Sequence, residues 1–152
     1  METAKERLNT VVLNIVIAFF MVLMTTVIHA GGMLLAMRAV HLEKQRLEQS
    51  LGRIRFYLVC GIVLLMFFVS MLEVSIWAAA YLVLNAVQGF DQAFYFSMVT
   101  FTTVGYGDIV LDERWRILAS FEAANGIVMF GWSTAIIIQT VQRVFYRKFP
   151  FE

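Results

Sequence analysis

The chain has 152 residues, 61% of them apolar and 15% charged, with a formal net charge of +1, whereas soluble domains carry about a quarter charged residues. Those proportions exclude an ordinary soluble domain and point to a membrane protein. No catalytic constellation is visible; enzymatic activity is not expected, and neither is a nucleic-acid partner.

Between Arg7 and Arg38 no Asp, Glu, Lys or Arg occurs, and about 20 such residues suffice to cross a bilayer. The first predicted span is therefore about 9–37. Lys5 and Arg7 ahead of it and Ile28-His29-Ala30 within it weakly resemble a signal peptide. The run is too long for one, and cleavage would invert every later span, so this helix is read as retained. His29 within it is read as a packed, hydrogen-bonded residue.

Residues 38–55 hold no proline and only Gly52, with Glu43 and Arg46, and Lys44 and Glu48, at helical pair spacing. A helix is predicted, and Leu47, Leu51, Ile54 and Leu58 give it an apolar stripe; a packed helix and a solvated charged connector both fit. The second span, about 56–87, carries Glu73 as its only charged residue. It also carries Cys60, the only cysteine, whose expected role is apolar packing. Gly89-Phe90 then breaks the helix, and Asp91 is the predicted N-cap of a short helix from Gln92 onward, about eleven residues ahead of Thr103. Too short to cross, this helix should re-enter, which is tolerated only where protein buries the non-helical part. Its partly negative C-terminal end favours a cation in the loop that follows.

That loop reads Thr102-Thr103-Val104-Gly105-Tyr106-Gly107-Asp108. A cation that exchanges its hydration oxygens for backbone carbonyls needs successive peptide units turned the same way, and glycine tolerates the positive φ this requires. Gly105 and Gly107 would allow inward carbonyls, Val104 and Tyr106 would pack behind the loop, and the Thr103 hydroxyl would add an oxygen at the inner mouth. A lone Gly-x-Gly would mean only a turn; here seven consecutive residues agree, between membrane-length segments. The third span, about 116–143, contains Glu122 as the only charged residue between Arg116 and Arg143.

From about Tyr57 to Arg147 the chain resembles the pore module of tetrameric potassium channels: outer helix, pore helix, filter, inner helix. Ala93-Phe94-Tyr95-Phe96-Ser97 leading into Thr102–Asp108 is similar to that family's pore pattern, and Gly126-Ile127-x-x-Phe130-Gly131 to its inner helix. The resemblance implies potassium ions coordinated at Thr103, Val104, Gly105, Tyr106 and Gly107. It implies support for the filter from Thr102 and Asp108, the latter accepting a hydrogen bond from Tyr95. It also places Gly126 at a hinge and Ile127, Phe130 and Thr134 toward the cavity below the filter. Helical spacing agrees, since 127, 130, 134, 137 and 141 share one face. Close helix packing is the other reading of both glycines. The first span departs from the module: it lacks the arginine repeat of a voltage sensor. The prolines of voltage-gated relatives are missing too, Pro150 being the only one.

Glu73 and Glu122 are costly in hydrocarbon and need partners. For Glu122 the candidates are Ser97, Thr100 and Asn125, so that it supports the filter through the pore helix; Glu73 shares a helix face with Ser70 and Trp77. A protonated glutamate bonded between helices is the preferred reading of each, with a direct part in permeation the alternative.

Arg38, Lys44, Arg46, Arg53, Arg55, Arg143, Arg147 and Lys148, eight of the twelve cations, fall on one side of the predicted spans, which should be cytoplasmic. The expected product is an all-α, multi-pass protein of the cell membrane with its N-terminus outside and C-terminus cytoplasmic. It has three transmembrane helices, a re-entrant pore helix and a filter loop, divided as an N-terminal helix with its connector (1–55) and a pore domain (56–152). One loop per chain requires four chains around the axis, so a homotetramer among membrane lipids is expected. Potassium ions are the permeant species and the only cofactor expected. A weakly selective cation channel and a non-conducting regulatory subunit are the alternatives.

Overall fold

A computed structural model describes residues 4–42 and 52–145, and within them all regular structure is helical. Three helices are long and apolar enough to cross a membrane: α1 (Ala4–Leu42), α2 (Gly52–Val83) and α4 (Arg116–Phe145). A short helix, α3 (Phe90–Phe101), stands between the last two. The chain is an all-α, multi-pass membrane protein. Helices are what such a sequence can form in lipid, where each backbone N–H and C=O must find its partner internally. The only proline, Pro150, interrupts none of them.

At 39 residues α1 exceeds the predicted span at both ends. Of the expected connector helix, Arg38 to Leu42 continues α1 and Gly52 onward begins α2; Glu43, Lys44, Arg46, Leu47, Glu48 and Leu51 lie outside the described residues. Asn14, Ala18, Met21, Thr25, His29, Gly32, Ala36 and Val40 form the buried stripe of α1, at steps of three and four. The rest of that helix is largely exposed, as suits one face on protein and the others toward lipid. At Gly32 an added Cβ would stand 2.6 Å from Val69 Cγ2, so α1 and α2 approach closely there.

Hydrogen bonds set the directions. Asn14 Nδ2 donates to the Arg114 carbonyl at 2.8 Å and Asn125 Nδ2 to Thr25 Oγ1 at 3.0 Å, so α1 and α4 run parallel. The approach of Gly32 to Val69 and of His29 to Glu73 makes α2 antiparallel to α1. The N-terminal end of α1 therefore lies at the same end of the molecule as the loop after α3. Both apolar clusters draw on α1, α2 and α4: Met21, Trp77 and Leu118 belong to one, Ala36, Met66 and Ile136 to the other.

The helix ends on either side of the turn before α3 also differ from the sequence reading. α2 stops at Val83, four residues before the expected end. Asn85 adopts φ 52, with Ala86 N–H bonded to Tyr81 O at 2.9 Å and Asn85 N–H to Leu82 O at 3.0 Å. That is a Schellman ending with asparagine in the left-handed position usually held by glycine. The short helix, in turn, starts at Phe90, with Gly89 (φ 84) and not Asp91 as its N-cap, and no side chain caps it. Asp91 instead sits in the first turn, where its charge meets the positive end of the helix.

Candidate ion-conduction site

Residues after α3 leave the helix through Thr102, whose N–H and side-chain hydroxyl both reach the Met98 carbonyl. Thr103, Gly105 and Gly107 then have φ of 62, 55 and 79, while Val104 and Tyr106 between them do not. Alternation of left- and right-handed residues brings successive N–H groups to one side of a strand, and the carbonyls consequently to the other. Positive φ at a β-branched residue is an outlier, and such strain persists only where surroundings enforce it. Sequence reasoning anticipated the two glycines but not Thr103, whose residue type argues against that conformation.

Within the chain the loop is held lightly. Val104 N–H and Gly105 N–H share the Val99 carbonyl at 3.0 and 3.2 Å. Val104 is 52% exposed and Tyr106 73%, so the expected packing of these side chains behind the loop does not occur inside one chain. Behind the loop lies a cavity of about 210 Å³ lined by Tyr95, Val99, Gly105, Gly107, Asp108 and Arg116, among others.

Tyr95 Oη donates to Asp108 Oδ2 at 2.7 Å, which ties α3 to the end of the loop as expected. Bonding to Asp108 raises the pKa of the Tyr95 phenol, and the same bond lowers that of the Asp108 carboxyl. Each shift favours the form that makes the bond, neutral phenol and ionised carboxylate.

Glu122, fully buried on α4, joins three helices. Tyr81 Oη of α2 donates to its Oε2 at 2.5 Å, and Ser97 Oγ of α3 lies 2.5 Å from its Oε1. Ser97 Oγ is also 2.8 Å from the Val74 carbonyl. A serine hydroxyl has one proton, so both Ser97 bonds form at once only when Glu122 carries the carboxyl proton and donates to Ser97. Of the expected partners Ser97 is correct. Thr100 and Asn125 are not, Asn125 bonding Thr25 instead. Tyr81 was missed, because it lies 41 residues away and no local spacing points to it.

Glu73 meets His29 and not the residues on its own helix face: Nδ1 of His29 is 2.9 Å from Glu73 Oε1, both side chains fully buried. Ser133 Oγ of α4 is 3.3 Å from His29 Nε2. Trp77 Nε1 and Glu73 Oε2 have no bonding partner.

Along α4, Ile127, Phe130 and Thr134 are exposed on a face that flanks the buried Glu122, Asn125, Met129, Ser133 and Ile136. Ile137 and Val141, on the predicted face, are half-buried. Gly126 is buried, and a Cβ there would stand 1.9 Å from the Phe101 carbonyl oxygen. That contact accounts for the glycine by close packing of α4 on the end of α3. Nothing lies within 4 Å of a Cβ added at Gly131.

A family model described as "Ion channel" matches residues 68–143, half of the chain. The chain belongs to the ion channel family. No curated protein and no solved structure matches it. In this channel the matched stretch takes in the C-terminal half of α2, all of α3 and its loop, and α4 up to Arg143. The first helix lies outside the match, although it packs on the matched helices.

Proposed function

We propose that this channel conducts potassium passively and in single file, through a pore built from four copies of the chain. The observation that carries the reading is the alternation of positive φ at Thr103, Gly105 and Gly107 within Thr-Val-Gly-Tyr-Gly. A backbone of that kind offers a row of carbonyls from residues 103 to 107, and rings of such carbonyls replace the hydration shell of potassium. Occupied neighbouring sites repel one another, so that ions leave as others enter. Four copies are inferred because one chain contributes one side of each ring, and because Val104 and Tyr106, exposed in the single chain, need a neighbour to cover them.

Within this reading Thr102, Asp108, Tyr95 and Glu122 support the filter, and Ile127, Phe130 and Thr134 line the cavity beneath it. Residues 56–152 form the pore unit, with 1–55 as an added N-terminal segment. The cations of the connector and of the end of α4 favour a cytoplasmic position, leaving the N-terminus and the filter outside. Reconstitution into liposomes tests the function. Potassium and rubidium should enter, sodium should be strongly disfavoured, and barium should block at the Thr103 ring. Equal potassium and sodium uptake would leave a weakly selective cation channel. No uptake by a protein that native mass spectrometry finds as a monomer or dimer would overturn the reading.

A further inference from the structure

The first helix has polar contacts with the inner helix α4 where an inert lipid-facing segment needs none. Asn14 bonds the chain just ahead of α4, Thr25 bonds Asn125, and His29 bonds Ser133 while paired with Glu73 of α2. Ser133 immediately precedes Thr134 and lies on the buried face of α4, about 60° round the helix from Phe130 and about 120° from Ile127. His29 thus holds α4 by its buried face, on the flank of the predicted cavity-facing residues. Trp132 of α4 also has its ring 6.1 Å from the His29 ring.

We propose that His29 is a positioning residue through which the first helix holds α4 in place, in a junction with Glu73 and Ser133 that is stable with one proton shared between His29 and Glu73 and is released by a second. The proposal rests on α4 lining the conduction path, but not on which ion passes.

The proton count follows from the geometry. With one shared proton, the pair is either neutral imidazole beside carboxylic acid or imidazolium beside carboxylate. In both states Nδ1 and Oε1 are bridged by one hydrogen, and Nε2–H donates to Ser133 Oγ. Both carry no net charge. A second proton leaves a net positive charge, and loss of the first leaves a net negative one, between side chains that are fully buried. An uncompensated charge in such a place is costly. Compensation is not at hand. Glu73 is the ionisable side chain facing His29 from α2; α4 presents Ser133, Trp132 and Asn125, which do not ionise. Glu122, the ionisable group on the buried face of α4, is engaged by Tyr81 and Ser97, and Tyr95 of α3 by Asp108. Glu73 Oε2 has no partner to stabilise either form. Acidification should therefore separate His29 from Ser133 and free the middle of α4.

The test uses the full chain in liposomes, with monovalent cation flux followed as the pH is lowered from about 8 to about 5. In parallel, 5-fluorotryptophan NMR follows the Trp132 resonance, assigned by Trp132→Phe. Wild-type flux should change with acidification, no more steeply than about tenfold per pH unit, as one proton dictates. The Trp132 resonance should shift over the same range. His29→Gln, which keeps a donor for Ser133, and Glu73→Gln should each flatten both profiles. Should His29→Gln fail to assemble, Glu73→Gln and the wild-type Trp132 titration still decide the matter. A Trp132 resonance that stays put, or a pH response unchanged in the variants, overturns the junction even if potassium is conducted. A moving Trp132 resonance in a protein that passes no cation supports the junction and sinks the conduction reading instead.

Discussion

In the seam between the membrane helices, Glu122 finds Tyr81 and Ser97, Asn125 finds Thr25, and His29 finds Glu73 and Ser133, all within a single chain. The loop from Thr103 to Gly107 is the reverse case. It takes positive φ at three alternate residues, with strain at Thr103, is anchored by N–H bonds to Thr100 and Val99, and leaves Val104 and Tyr106 exposed. Each of these side chains makes at least one bond within the chain, although Glu73 Oε2, Asn125 Oδ1 and Trp77 Nε1 keep no partner among the described residues, whereas the side chains of the loop are left uncovered. A buried carboxyl or imidazole without any bond is too costly to leave for assembly, whereas a strained backbone with outward side chains can wait for neighbouring copies to hold it. Stability and conduction should accordingly respond to different substitutions.

The largest loss of stability is expected at the close approach of α3 and α4. Gly126→Ala would set a Cβ 1.9 Å from a backbone oxygen that cannot rotate away. Overpacking of this kind costs about 1–3 kcal/mol and occasionally more, so the thermal midpoint in detergent should fall clearly. An unchanged midpoint would mean that α4 does not rest on the end of α3.

Tyr81→Phe removes the donor to Glu122 Oε2 and leaves a buried acceptor empty, at about 1–3 kcal/mol. Thermal unfolding should again report the loss, and Glu122→Gln should be milder than Glu122→Ala because the amide keeps an acceptor and a donor in place. Equal effects of the two changes at 122 would remove hydrogen bonding as the reason for this side chain.

At Gly105 the comparison turns over. Nothing lies within 4 Å of an added Cβ, yet φ is +55, so Gly105→Ala strains the backbone without a clash. The strain is about 1–2 kcal/mol per chain. Helical content should hold and the thermal midpoint should fall less than in Gly126→Ala, while potassium uptake is abolished or its ratio to sodium falls sharply. Unchanged selectivity and barium block would remove residues 103–107 from the conduction path.

Tyr95→Phe should have the smallest effect on stability, since its bond to Asp108 is exposed to solvent. Its signature belongs to the loop: a reduced potassium-to-sodium ratio at constant thermal midpoint. If the midpoint drops and the ratio holds, the tyrosine braces the fold and not the filter.

Three spans, a short re-entrant helix and the loop motif were legible in the sequence because each is a local property: charge-free runs of membrane length, a glycine break, seven adjacent residues. The 95–108 bond was legible too, both ends being close in sequence to one loop. By contrast, the early stop of α2 depends on Asn85 taking a left-handed conformation that its residue type only permits.

The sequence by itself determined that this chain is a helical membrane protein and where its candidate ion path must lie, because hydropathy and backbone freedom act residue by residue. Only the tertiary structure decided which polar groups answer one another across the helices. Glu73 could be seen to need a partner, since a carboxyl in hydrocarbon always does, but that the partner is His29 follows from α1 packing antiparallel to α2 with Gly32 against Val69. Likewise the role of Gly126 could be narrowed to hinge or packing from its place in the inner helix, and the Phe101 carbonyl pressed against it supplies the packing, a contact between segments 25 residues apart that no periodicity encodes.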